Sequence, residues 1–146
     1  MCIGQAALAQ PPSSAFIVHD NFRESTLLGY VSLYNDNSNR LTIDKVINKA
    51  DGVVNFKLVS DEILSLGFDP HHHWLKCNIN NASSQSQNLV FGIDYYHIDD
   101  ISFYLVDSSH TIVYRAEHLK QKTSIADRPI DVRSFAFPVF IKKINR

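Results

Sequence analysis

Cysteine is scarce in this chain: Cys2 and Cys77 are the whole complement, and they lie far apart. A disulfide framework of the kind that staples small secreted folds is not expected. Long apolar runs are missing too. No stretch approaches the ~18–20 residues that cross a bilayer as a helix, so these residues are read as carrying no membrane anchor. Charge of one sign is also absent. Fourteen basic side chains against fifteen acidic ones leave a net charge of −1, which supplies no field for nucleic acid or anionic lipid. There is no G-x-S-x-G elbow, no H-E-x-x-H, no phosphate loop and no dinucleotide glycine fingerprint, so the common enzyme signatures are missing. No period of about 20–50 residues repeats, which disfavours a solenoid or propeller.

What remains is ordinary for a soluble domain. The 146 residues are 45% hydrophobic and 20% charged. A chain of this length forms one domain and buries roughly two-thirds of its unfolded surface without staples. Residues 1–15 read as a leader. Ala7-Leu8-Ala9 before Gln10 resembles a signal cleavage site lacking the basic segment ahead of it, and Pro11 and Pro12 begin a loop. Residues 16–146 are read as the folded domain. The export signal implies a periplasmic or extracellular location.

Most of that domain has the two-residue period of strands. Leu27 to Tyr34 is rich in aromatic and β-branched residues and stops at the turn formers of 35–39. In His73 to Asn80, Leu75, Cys77 and Ile79 point one way and Trp74, Lys76 and Asn78 the other. Residues 81–87 are polar and turn-like. Leu89, Phe91, Ile93 and Tyr95 then share a face, as do Ile101, Phe103 and Leu105. Thr111 to Arg115 reads as the return arm of a hairpin, and Phe135, Phe137, Val139 and Ile141 form a last apolar face. Two short helical pieces are expected, one from Thr42 to Ile47 and one from Glu62 to Leu66 ending at Gly67. Many short strands with Asn/Ser/Gly turns predict an all-β antiparallel sandwich or barrel.

His71-His72-His73 is the most conspicuous cluster. On a strand only His71 and His73 converge, two ligands where zinc needs three or four, so no metal site is expected and no cofactor is assigned. Asp99 and Asp100 are adjacent and diverge on a strand. Catalysis is therefore not expected. Cys77 is read as a small buried apolar residue. The better candidate is an aromatic platform: Trp74, Lys76 and Asn78 in one row, with Asp94, Tyr96 and Tyr104 on corresponding faces of nearby segments and Arg133 just before the last strand. Aromatic rings flanked by hydrogen-bonding groups suit a sugar ring or another small polar ligand. The competing reading places Trp74 in the core.

The order of segments then resembles a known family. Leu41 to Ile47, Leu66-Gly67-Phe68, His73 to Asn81, Asn88 to Phe91, Ile98 to Leu105, Asp127-Arg128-Pro129-Ile130 and Arg133 to Val139 together resemble the type-2 extracellular sensor domain of bacterial seven-transmembrane receptors with diverse intracellular signalling modules. The resemblance covers about residues 25–141. The family has aromatic-Trp-Leu-Arg-aromatic where this chain has His73-Trp74-Leu75-Lys76-Cys77, and lysine keeps the charge without the bidentate geometry. Tyr104 and Arg133 match directly. The resemblance implies a jelly-roll-like sandwich similar to carbohydrate-binding modules. It implies a periplasmic sensor of carbohydrate or small molecules, attached to transmembrane helices and a histidine kinase or cyclase module. A homodimer is a further expected partner. The alternatives are a free-standing or enzyme-attached carbohydrate-binding module, and a glycan-active enzyme using a carboxylate pair such as Asp94 and Asp99.

Overall fold

A computed structural model describes residues 15–48, 54–59, 66–94, 98–130 and 132–143. The chain is an all-β sandwich built from small sheets. Its strands are β1 (Phe16–Val18), β2 (Val31–Asp36), β3 (Lys57–Leu58), β4 (His72–Cys77), β5 (Ile79–Asn81), β6 (Gln87–Ile93), β7 (Asp100–Val106), β8 (Ile112–Lys120) and β9 (Phe135–Ile141). One six-residue helix, α1 (Ile43–Asn48), follows β2, and a 3₁₀ turn covers Ile125–Asp127. The helix expected from Glu62 lies almost wholly outside the described residues.

Pairing gives the sheets β3-β2-β4, β6-β9 and β7-β8, all antiparallel. One short pair departs from the antiparallel pattern. β1 pairs with β5 in parallel, Phe16 beside Ile79 and Val18 beside Asn81. Parallel pairing is available because β1 comes from far upstream and needs no tight turn.

The core sits where β1 and β9 meet the rest. Val18 and Phe137 are fully buried, and Phe16, Phe135, Ala136 and Val139 are nearly so. The ring of Phe103 in β7 stacks on Phe137 with centroids 4.5 Å apart and lies 5.4 Å from Phe91. The apolar face of β6-β9 is thereby joined to one face of β7-β8. The opposite side of β6-β9 is open, with Val90 65% exposed. That alternation is the one expected of a half-buried sheet.

Polar side chains fix the connections. Asp36 ends β2 and accepts from the Ser38 amide and hydroxyl and from the Leu41 amide at 2.6–3.0 Å, which turns the chain into α1. The stretch from Asn81, the last residue of β5, looks like a solvated loop in the sequence, yet Asn81 and Ser83 are buried. Asn81 Nδ2 donates to the carbonyls of Gln85, Ile141 and Lys142, and its Oδ1 accepts from the amide and hydroxyl of Ser83. A buried amide must be satisfied in this way, and doing so ties the end of β9 to β5. Asp107 closes the β7-β8 hairpin, its carboxylate accepting from the Ser109 and Thr111 amides while His110 takes a positive φ of 61°.

Candidate functional site

β2 and β4 run side by side with Tyr34 opposite Trp74 and Ser32 opposite Lys76. Directly opposed residues in an antiparallel pair share a face, so Tyr34, Trp74 and Lys76 lie on one side of this sheet. Phe56, just before β3, joins them: its ring is 6.0 Å from Tyr34 and lies under the Lys76 ammonium at 5.6 Å. Across from this sheet, the Tyr104 ring stacks on the Trp74 indole with centroids 6.4 Å apart and planes 18° from parallel. The result is a continuous aromatic surface of Phe56, Tyr34, Trp74 and Tyr104.

Its polar rim comes from β8. The register of β7 on β8 slips between Ile101 and Phe103, leaving Glu117 and His118 opposite Ser102. His118 takes the bulge conformation with φ 56°, and its amide donates to Ser102 Oγ at 3.1 Å. An extra residue in one strand re-aims the side chains beside it. Here the beneficiary is Glu117, whose carboxylate accepts from the Tyr104 hydroxyl at 2.6 Å, with the Arg115 guanidinium 4.0 Å from its other oxygen. Burial and this carboxylate together push the Tyr104 phenol up to about 12.

The Trp74 indole is half-buried, and its N–H is shielded from solvent with no hydrogen-bond partner among the described residues. A buried donor without a partner is costly and is the sort of group a ligand acceptor can satisfy. The indole therefore lies neither sealed in the core nor free in solvent. Its neighbour differs from expectation: Leu75, expected to face inward, is 43% exposed. The physical reason is that the aromatic rings of Tyr104 and Phe56 cover the Trp74 side of the sheet.

Of the residues named from sequence, the structure brings together Trp74, Tyr104 and, through Phe56, Lys76. Asn78 is exposed in the break between β4 and β5, where its carbonyl accepts from the Phe16 amide at 2.8 Å. Asp94 is exposed just past β6. Arg133 is exposed, and its carbonyl accepts from Arg128. No hydrogen bond, ion pair or ring contact among the described residues joins Asn78, Asp94 or Arg133 to the cluster. Tyr96 lies outside the described residues. Sequence reasoning missed Tyr34, Phe56 and Glu117. Tyr34 has the correct phase in its own strand, but its position opposite Trp74 depends on pairing; Glu117 is aimed by a bulge with no side-chain signature.

One other group carries less. Cys77 has no disulfide partner among the described residues, and burial pushes its thiol up, away from reactivity. Among the described residues no helix is long and apolar enough to cross a membrane.

No curated protein and no solved structure matches the chain. The profile of one family does, over residues 28–145, a span that takes in the whole aromatic cluster and its rim. The chain belongs to the 7TMR-DISM extracellular 2 family, the extracellular sensor domains of multi-domain receptors.

Proposed function

We propose that this domain is a non-catalytic sensor whose aromatic face, centred on Trp74 and Tyr104, takes a sugar or another small polar ligand on the outer side of the membrane. The carrying observation is the Trp74–Tyr104 stack with a partnerless indole N–H beneath it. Apolar ring faces of a sugar pack on such rings. Its hydroxyls find the Lys76 ammonium as donor and the Glu117 carboxylate as acceptor. Glu117 and Arg115 hold the Tyr104 ring in place before any ligand arrives, which lowers the ordering cost of binding. A catalytic role has less support: Asp94 and Asp99, the carboxylates it would use, are both exposed. Signalling requires that the ligand bind one arrangement of the domain better than another. An attached kinase or cyclase module and a homodimer are the receptor context in which such a difference is transmitted.

Thermal unfolding across a panel of mono- and oligosaccharides tests this reading. A true ligand at about a hundred times its Kd stabilises by about 2.7 kcal/mol, and Trp74→Ala should abolish the shift. The same substitution should lower stability by about 1–2 kcal/mol, less than the ~3–5 kcal/mol of a fully buried aromatic. A panel that leaves the unfolding temperature unmoved, or a ligand whose effect survives Trp74→Ala, would remove the proposed recognition surface.

A further inference from the structure

The Trp74 indole N–H is shut away from solvent, and no acceptor among the described residues meets it. An unsatisfied buried donor is a standing cost, so its setting asks for a reason. Over the indole lies the Tyr104 ring, 6.4 Å away between centroids and 18° from parallel. Trp74 belongs to β4 and Tyr104 to β7, and among the described residues no strand pairing joins the sheet β3-β2-β4 to the hairpin β7-β8. The two can therefore part locally without breaking a ladder. One hydrogen bond sets the covering ring: the Tyr104 hydroxyl donates to Glu117 Oε1 at 2.6 Å. Both partners stand on the same hairpin, with Glu117 aimed by the bulge at His118. The bulge is braced in turn, the His118 amide on Ser102 Oγ and the His118 ring 3.5 Å from the Asp100 carboxylate.

We propose that Tyr104 is a latch over Trp74: with its hydroxyl on Glu117 the ring seals the indole N–H, and when that bond lets go the ring turns aside and offers the N–H to a ligand oxygen. This rests on the reading of the aromatic face as the recognition surface, and it names the two arrangements between which a ligand discriminates. The latched arrangement presents ring faces alone. The released one adds a hydrogen-bond donor that has no other partner. A ligand hydroxyl that takes over Glu117 Oε1 displaces the Tyr104 hydroxyl, and an acceptor on the same ligand then satisfies the indole. Such a ligand binds the released arrangement better, which is the difference a population shift requires.

Trp74 is the one tryptophan of the chain, so its indole N–H gives a single proton resonance whose exchange with deuterium can be followed in the ligand-free protein. It should exchange well ahead of the slowest backbone amides of β6 and β9, because opening at the latch is local. Tyr104→Phe, which keeps the ring, and Glu117→Ala should each speed indole exchange by about tenfold or more, the scale of a lost hydrogen bond to a charged group, and should move those backbone amides far less. Glu117→Gln keeps an acceptor for the hydroxyl and should stay close to the original rate. Indole exchange that follows the backbone amides in every variant, or that ignores Tyr104→Phe, would mean that packing alone seals the N–H and would overturn the latch. No saccharide enters this measurement, so its failure removes the latch alone, whereas the thermal panel judges the recognition surface.

Discussion

At the scale of single residues, the Tyr104 hydroxyl offers a direct measurement. Burial raises its pKa first and the Glu117 carboxylate adds to it, bringing the group to about 12 from an ordinary value of 10.0. Because the folded pKa is the higher one, the contribution to stability is complete below pH 10 and is lost as pH rises toward 12. Absorbance titration of phenolate should therefore show a tyrosine ionising at about 12, and Glu117→Gln should bring it earlier while leaving the Trp74 stack in place. A late tyrosine that ignores Glu117→Gln would assign the whole shift to burial. The residues of this site were partly legible beforehand. Trp74, Lys76 and Tyr104 stood out because chemistry and strand phase agreed on them, whereas Leu75 misled because an apolar side chain in the right phase looks buried whatever covers it.

Among the elements, the connection from β8 to β9 depends on one side chain. Arg128 lies over the Phe135 ring at 5.0 Å and donates to the carbonyls of Gln121, Thr123, Val132 and Arg133. A planar guanidinium can serve several carbonyls at once, and an ammonium cannot. Arg128→Ala should cost about 2 kcal/mol, the scale of hydrogen bonds to a charged group. Arg128→Lys should recover little of it in denaturant unfolding; full rescue by lysine would reduce the role to charge alone. The strands with strict alternation were readable: β6 and β9 emerge with Phe91 and Phe137 on the expected faces. β1 and β3 were not, being three and two residues long and formed by partners distant in sequence. The run that begins at Asn81 hid its purpose, since Asn81 and Ser83 look like solvent-facing turn residues until β9 lies beside them.

For the whole molecule, acid is the informative stress. Desolvation of the buried Asp36 opposes its ionisation, but hydrogen bonds from Ser38 and Leu41 outweigh that and hold its pKa below 3.8. A lowered folded pKa means stability is present above the unfolded value and drains away as pH falls through the folded one. Asp20, bonded by the Ser84 amide and hydroxyl, acts in the same direction. Unfolding free energy should fall steeply below about pH 4, and Asp36→Asn should flatten that fall while lowering stability at neutral pH. An unchanged acid limb would move the sensitivity to other carboxylates.

The two extremities of the domain are moored to one cleat. The Ala82 amide donates to the Val18 carbonyl at 2.9 Å, while the neighbouring Asn81 amide grips the carbonyls of Ile141 and Lys142 at 3.3 Å. Tension applied between the incoming and outgoing chain would travel through Asn81 and bypass the aromatic rings. A ligand taken up on those rings, as proposed, would lie off that line between the two ends.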